Sequence, residues 1–565
     1  MKVYAVQMEI VSGNPKRNFE TMDRYIGEAK KHGADLVIFP DCCLFGGAYP
    51  EKGSAFAIEC ISYGYQIAAL ANGIDILFGN IDDQFSDGDK VICDSEEDAL
   101  PPCNHAYYAA EQKLTRIKSP FYFPDELEPY PLASGRKIGI FAGNHDWNLL
   151  GEQLCPGDFF INISSFFYRT GEGNHYRRDI AEVAEKYGVS VLHLNAVGVH
   201  NEGKCIKAFA GESSIFEPSR KMVYSFPAFE PRAELLEFKN FGVKGTFVPQ
   251  TPLTPIAEKR KALTYMIRAS LRQMKIPRVV IGVSGGIDSA VNAVLHADAL
   301  GAENVYLVNL PTRFNSETTK NAAGKLAENL GCSYLALPMT GVLESCRETL
   351  NAAVFSGGET VTVEGIHFEN LQARLRSAVF LSTIASVLGA AFTCNGNKTE
   401  VMAGYCTLYG DTAGIFCALG DLWKTEVYEL AREINRESER IPEASIEIPA
   451  SAELSEAQNV DEGKGDPIIY AYHDRLFRFW MEENRTLDET LEALDDGALP
   501  RQIGFSETDF RRLYPTDEPA VFDMRYWWRR YRGIALAKRI QMPPILSVSS
   551  RSFGEMNESQ IDADL

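Results

Sequence analysis

The stretch Arg278 to Leu300, RVVIGVSGGIDSAVNAVLHADAL, limits the choice of fold more than any other in this chain. The apolar run Val279 to Val283 predicts a buried strand, and the residues that follow the next turn predict a helix. Between them, Ser284-Gly285-Gly286-Ile287-Asp288-Ser289 predicts a tight turn. Glycines let such a turn close and aim successive backbone N–H groups at one point, where the helix start adds a favourable dipole for an anion. Ser284 and Ser289 add hydroxyl donors, and the Asp288 carboxylate suits Mg²⁺ held beside phosphate. The string is neither G-x-x-x-x-G-K-[ST] nor G-x-G-x-x-G. A strand feeding a phosphate turn and then a helix predicts a parallel α/β sheet.

The rest of the second half keeps that rhythm. Val305 to Leu310 and Ser333 to Pro338 read as further parallel strands with helices between them, after an amphipathic helix from Ile256 to Met274. The first ~235 residues alternate short apolar strands (LVIFP, DILFGN, KIGIFAG, DFFINIS, VSVLHLNA) with helices such as Asn18 to His32 and Arg177 to Tyr187. Between the halves, FVPQTPLTP, Phe247 to Pro255, carries three prolines, which oppose both helix and central strand. Residues 1–240, a linker at 241–255 and residues 256–565 are the expected divisions.

S-G-G-x-D-S resembles the pyrophosphate loop of the ATP pyrophosphatases, which split ATP between the α and β phosphates and activate a carboxyl or carbonyl group. Five further segments narrow the resemblance: PTRFNSE from Pro311, ENLQARLR from Glu369, NGNKTEVMAGYCTLYGDTAG from Asn395, DLWKTEVYELA from Asp421 and ASAELSEAQ from Ala450. Together they resemble NAD synthetase in its long form, where a nitrilase-like glutaminase domain precedes the synthetase. The resemblance implies an α-β-β-α sandwich followed by a parallel-sheet ATP-pyrophosphatase domain. It also implies a ligase joining ammonia to deamido-NAD, with ATP as co-substrate and Mg²⁺ as cofactor.

Carried over position by position, the resemblance places Ser284, Gly285, Gly286, Asp288, Ser289, Arg374 and Lys424 on ATP. It places Gln372, Arg376, Asn395, Glu400, Asp411 and Lys538 on deamido-NAD. Asp288 and Glu400 would hold Mg²⁺, and Lys424, Asp411 and Ser451 would take part in the chemistry. Adenylation brings a carboxylate up to a polyanion, so metal and lysine must absorb the repulsion. The structural alternatives are plain: Arg374 and Arg376 as helix-surface charges, Lys424 as a solvated lysine, Glu400 and Asp411 as caps of turns. Asn395 departs from the threonine usual in the family. The stretch Gly341 to His367, read as loops, is where substrate choice would lie, so a related carboxylate stays open as the substrate.

In the first half, GADLVIFPDCCLFGGAYPE resembles the nitrilase segment that carries a glutamate base, with Asp41 in the glutamate's place. LTRIKSPFY resembles the segment with a lysine four residues before a proline, and that count lands on Arg116. KIGIFAGNHDW aligns its strand and Trp147 with the nucleophile segment, which puts Gly143 where the family has cysteine. Glycine cannot form a thioester, arginine is not a proton-donating amine, and Asp41 is one methylene short. The three changes predict a glutaminase half that no longer hydrolyses glutamine. Ammonia would then arrive free or from a separate glutaminase. The remaining alternative is a glutamine-dependent enzyme with a relocated nucleophile; Cys155, Cys42 and Cys43 read as buried thiols instead.

Composition excludes some partners. A net charge of −21 opposes electrostatic binding of nucleic acid or an anionic membrane, and no apolar run is long enough to span a bilayer. The aromatic and arginine-rich YWWRRYRG, Tyr526 to Gly533, therefore reads as a partly buried helix. Twelve cysteines without a C-x-x-C read as reduced thiols of a cytoplasmic protein. Cys394, Cys406 and Cys417 cluster near the site, which keeps a tRNA thiolase in view, but no basic neighbour is evident to activate them. The resemblance further implies a homo-oligomer, with a synthetase dimer inside an octamer-like assembly, and a basic C-terminal arm from Lys538 closing near the nucleotide.

Overall fold

The computed structural model describes residues 1–48, 54–82, 103–117, 130–131, 137–142, 159–239, 242–244 and 253–555. Gly143 to Trp147, Lys118, Pro120 and Cys155 lie outside the described residues. The chain divides into two compact units, Met1–His200 with Lys207–Leu253, and Asn201–Ile206 with Thr254–Leu565.

In the first unit, two sheets face each other. The seven-stranded sheet places Lys2–Gln7 between Arg232–Lys239 and Leu36–Ile38, and continues through Asp75–Asp82 to Cys103–Ala110 and Lys113–Ile117. The six-stranded sheet is built around Ser190–Asn195, Phe159–Ser164 and Lys137–Ala142, paired in parallel. Strand residues alternate faces, so Val3, Ala5 and Ile38 meet Ile161, Leu192 and Leu194 between the sheets. Tyr4, Val6 and Val37 turn outward instead, onto Met22, Ile26 and Ala29 of the helix Pro15–Lys31. The second sheet is covered by Ile180, Val183 and Ala184 of the helix Glu172–Tyr187. Covered on both faces, the central strands are buried at every position and mostly apolar, which is why they read as continuous runs. This is the expected α-β-β-α sandwich.

Asp41 follows the strand Leu36–Ile38 in a buried turn, with Cys42 and Cys43 buried beside it. Gly79 of the neighbouring strand makes room for it, because a Cβ there would stand 2.5 Å from the Asp41 carboxylate. Cys43 donates to the Gly79 carbonyl at 3.2 Å, and burial pushes its thiol well up, so it is inert. Arg116 lies opposite Tyr107 in the strand pairing.

The second unit carries a four-stranded parallel sheet in the order Ser333–Ala336, Val305–Asn309, Val279–Gly282, Ala391–Phe392. The order reverses beside Val279–Gly282, which opens a crevice at the carboxyl ends of this strand and of Ala391–Phe392. The helix Pro255–Gln273 begins one residue earlier than the sequence reading, at a proline assigned to the linker. Proline is favoured in the first helical turn, where its missing N–H costs nothing, and Thr254 caps that turn by accepting from Ala257 N at 3.3 Å. Much of the supposed loop after Gly341 is likewise a helix, Thr340–Asn351.

A helical subdomain follows, packed around aromatic side chains. Tyr472, Phe477, Trp480, Phe510, Trp527 and Tyr531 form one buried cluster. Of YWWRRYRG, Trp527 and Tyr531 are buried and Trp528 packs edge-on against Trp480 with ring centroids 5.2 Å apart. The motif is a core stripe in which Arg529 is exposed and the half-buried Arg530 donates to Ala403 O at 2.8 Å and Gly404 O at 3.0 Å. Among the described residues no helix is long and apolar enough to cross a membrane.

Candidate functional site

The crevice at the sheet's reversal point holds a cavity of about 260 Å³. Its floor is the turn from Val283 to Ser289. Gly285 sits at φ +91°, and a Cβ there would meet the Thr319 carbonyl at 2.0 Å, so both the conformation and the space demand glycine. The turn is held by its own serines: Ser284 Oγ accepts from Gly286 N at 3.2 Å, and Ser289 Oγ accepts from Ser284 N at 3.3 Å. The helix Ile287–Leu300 has no side-chain cap. Its first N–H groups are thus left for an anion at the cavity wall.

Lys424, the first residue of the helix Lys424–Ile434, is buried and points into this cavity. Its Nζ pairs with Asp288 Oδ2 and lies 3.9 Å from Glu400 Oε1. Its backbone N–H donates to Thr399 Oγ1 at 2.9 Å, and Thr399 is itself tied to the buried Asp474 at 2.5 Å. Burial alone would lower the Lys424 pKa, but Asp288 and Glu400 outweigh it and raise it, so the ammonium persists. Burial and the adjacent Asp288 charge push the Glu400 carboxyl well up. Glu400 also completes a capping box, accepting from Asn397 N at 3.3 Å, so capping and site membership coexist in one residue. Asn397 donates to Asp288 Oδ1 at 2.9 Å and fixes that carboxylate.

Asp288 and Glu400 both approach the Lys424 ammonium, so two hard oxygen donors converge on one point at the mouth of the phosphate turn. That pair fits Mg²⁺, which takes one or two carboxylates and completes its shell with phosphate and water. Among the described residues there is no ready-made group of three ligands. Such an ion would be shared with the nucleotide.

Arg376, Asn395, Asp411 and Ser451 also line the cavity. Arg376 lies on a π-helical turn, Leu375–Leu381, a distortion common at functional sites. Its guanidinium donates to Leu310 O at 3.1 Å and Asn315 Oδ1 at 3.2 Å, and burial brings its pKa down to about 10 against the opposing pull of Glu453. Asn395 uses both ends of its amide on the protein, donating to Gly282 O at 2.8 Å and accepting from Asn292 at 2.6 Å. It therefore ties the two strand ends together. Burial raises Asp411 to about 6, although Thr407 N donates to it at 2.6 Å. A carboxylate that is readily neutralised suits a neighbouring anionic group.

Three expected residues stand outside the cavity wall. Gln372 is buried and donates to Leu454 O at 2.7 Å. Arg374 is exposed and holds Leu408 O at 3.1 Å. Lys538 donates to Gly404 O at 2.7 Å and Cys406 O at 2.5 Å, bracing the segment that carries Asp411. The rest of the C-terminal arm does similar work. Asp421 accepts from Val548 N and Ser549 N at 2.7 Å each, and the fully buried Lys398 bridges Asp421 at 3.0 Å and Glu482 at 3.1 Å.

Lys538 is a basic neighbour of Cys406 that the sequence did not reveal. Burial still dominates and pushes the Cys406 thiol well up. Cys417 is raised by its contact with Cys394 and by burial. Neither thiol is activated, which weighs against sulfur transfer.

Other lining residues escaped the sequence reading: Thr319, Tyr405, Tyr428, Glu453 and Asp466. Glu453, at φ +45°, accepts from Ser316 N at 3.1 Å and Thr319 Oγ1 at 2.7 Å. It fastens the segment after Ala450 to the far rim of the cavity.

The NAD synthase family matches residues 260–502, and the carbon-nitrogen hydrolase family matches residues 2–90. A glutamine-dependent NAD(+) synthetase from Rhodobacter capsulatus is 34% identical over 413 residues, covering 68% of this chain and 72% of its own. One from Thermotoga maritima is 29% identical over 547 residues, covering 86% of this chain and 90% of its own. In fold, the chain is similar to a glutamine-dependent NAD(+) synthetase from Cytophaga hutchinsonii. Their TM-score is 0.75 at 14% identity, covering 100% of this chain and 98% of that one.

Proposed function

Because the chain belongs to the glutamine-dependent NAD(+) synthetase family, we propose that it amidates deamido-NAD with ammonia rather than with glutamine nitrogen. It is a carbon–nitrogen ligase that consumes ATP. The observation that carries the synthetase chemistry is the convergence of Lys424, Asp288 and Glu400 on the mouth of the phosphate turn.

In this reading the N–H groups of Gly286 to Ser289 and the hydroxyls of Ser284 and Ser289 hold the β- and γ-phosphates. Lys424 releases Asp288 and turns to the α-phosphate, where the deamido-NAD carboxylate attacks and pyrophosphate leaves. Mg²⁺ between Asp288 and Glu400 would neutralise phosphate charge when bound. Arg376 and Asp411, whose carboxyl burial raises to about 6, place the nicotinate carboxyl, and Ser451 lines the phosphate side. Ammonia then adds to the acyl carbon of the adenylate, the bond to AMP breaks, and one proton is lost.

The synthetase dimer is supported by the exposed Ile366, Val379 and Val387 on the helical run that also carries the exposed Arg374. Arg374 and Lys538 would then meet nucleotide from outside the cavity of their own chain. The protein would work in the cytoplasm.

The nitrogen source rests on the sequence: Gly143 where the nucleophile should be, with Asp41 and Arg116 at the other two positions. The names of the relatives favour glutamine as the second reading. With ATP and deamido-NAD, ammonium is expected to support NAD formation and glutamine to support less than about a hundredth of that rate, the size of effect expected when a nucleophile is absent. Comparable rates from glutamine would reject the proposal. Gly143→Cys is expected to release no glutamate from glutamine, since Asp41 and Arg116 stay unsuited to general base and proton-donor roles; glutamate release would reject that claim. A panel of other carboxylates in place of deamido-NAD tests the substrate.

A further inference from the structure

Hydroxyls along the cavity wall differ in what they have left to give. Thr319 Oγ1 donates to Glu453 Oε2 at 2.7 Å. Ser451, which the sequence places at the phosphates, donates to Gln458 O at 2.6 Å and accepts from Glu453 N at 3.3 Å. Its proton stays within its own loop. Ser445, earlier in the same segment, also lines the cavity. It is 1% exposed, and its Oγ neither gives nor takes a hydrogen bond among the described residues. A buried hydroxyl without a partner is costly, and beside a cavity it marks a place for a partner from outside the protein.

Packing sets that place. Ser445 lies on the short helix Glu443–Glu447, which packs against the helices Ile287–Leu300 and Glu317–Leu330. The first of these begins at the phosphate turn, and Thr319 of the second sets its carbonyl against Gly285 of that turn. Ser445 therefore stands on the side of the cavity where phosphate is held. Glu443 and Glu447 of its own helix are exposed, so neither brings a negative charge to this wall.

The surroundings select the ligand. A trapped water needs several polar partners, and the side chains that continue this wall, Ile448, Pro449 and Ala450, supply none. Nucleotide phosphate has the complementary need. The N–H groups of the turn and Lys424 meet it from one side, and the oxygens turned away from them are acceptors only. A serine hydroxyl rotates freely about its C–O bond and can give its proton to such an oxygen.

We propose that Ser445 Oγ donates a hydrogen bond to the pyrophosphate portion of ATP, on the face turned away from the phosphate turn. This deepens the proposed function and rests on its placing of the β- and γ-phosphates at that turn. The role is confined to the ATP half of the reaction.

Calorimetric titrations of inorganic pyrophosphate and of AMP, each with magnesium chloride, into the full-length wild type and Ser445→Ala test this. Pyrophosphate affinity is expected to fall about tenfold, the loss expected for one hydrogen bond to a charged group, while AMP affinity stays at the wild-type value. The KM for ATP should rise in step, with the KM for deamido-NAD unchanged. Without ligand, Ser445→Ala should melt at or above the wild-type temperature, because the methyl group leaves nothing unpaired. A role inside the protein alone would instead lower that temperature and leave pyrophosphate affinity intact. Unchanged pyrophosphate affinity, an equal loss for AMP, or a lower unliganded melting temperature overturns the assignment. Ser445→Cys keeps the shape with only a weak donor and should lose as much as alanine; wild-type pyrophosphate affinity in that variant also overturns it. The synthetase reading fails separately: the wild type itself would then bind neither ATP nor pyrophosphate.

Discussion

Lys424→Met is expected to lower kcat for NAD formation by about 10²–10³, the range seen when a preorganised charge facing a reacting oxyanion is removed. Methionine keeps most of the length and the buried stem, so the loss reports charge rather than packing. The pair with Glu400, at 3.9 Å, is worth about 4 kcal/mol at an effective dielectric near 20. Burying those ions costs a similar amount, so the intact group adds little to stability. Removing one member is a different matter, because Asp288 and Glu400 then face each other alone. Glu400, already pushed up by burial, is expected to take a proton and lose its use as a metal ligand. Deamido-NAD-dependent ATP–pyrophosphate exchange checks this directly: a rate within about threefold of wild type rejects the role given to Lys424.

Gly285→Ala should be as damaging by another route. The alanine Cβ would begin 2.0 Å from the Thr319 carbonyl and would sit at φ +91°, where side chains are strained. The turn must move, and Thr319 cannot easily yield because its hydroxyl is tied to Glu453 at 2.7 Å. A displacement near 1 Å at a phosphate cradle costs about 100-fold in rate, and ATP affinity should fall with it. Gly286→Ala is the control: its φ is negative and its nearest neighbour, Ser284 Oγ, is 3.3 Å away. Calorimetric titration of ATP into both variants should separate them; equal affinities would remove the steric account of the turn.

The phosphate turn was legible in the sequence because its requirements are local. Strand, glycine, serine and helix start lie within one dozen residues, and each follows from backbone geometry. The sandwich was legible for a related reason, since strands covered on both faces are mostly apolar, with few polar residues such as Asn162 and His193 among them. Glu453 and Asp466 were not legible. Glu453 acts through Ser316 and Thr319, more than a hundred residues earlier, and Asp466 is set on the cavity wall by the Ala450 carbonyl and the Tyr470 hydroxyl. Neither spacing nor periodicity encodes such a partnership. Asn395 carries a part that its segment did not show: it lines the cavity and also ties Gly282 to Asn292 through its amide. Pro255 was misassigned because proline opposes a helix everywhere except in the turn where it stands.

Asn201–Ile206 belongs to the second unit although it precedes Thr254 by about fifty residues. Cys205 and Ile206 pair in parallel with Ile545 and Leu546, and Lys204 Nζ is hydrogen-bonded to the Ile540 and Met542 carbonyls. Those carbonyls flank Gln541, whose Oε1 accepts from Tyr409 N at 2.8 Å and Thr412 Oγ1 at 2.5 Å, on either side of Asp411. A gene cut at the proline-rich junction would therefore yield a ligase fragment with a naked strand edge and a slack amide-forming pocket. Selection on the ligase alone would still have to keep those six residues, and keep them covalently attached.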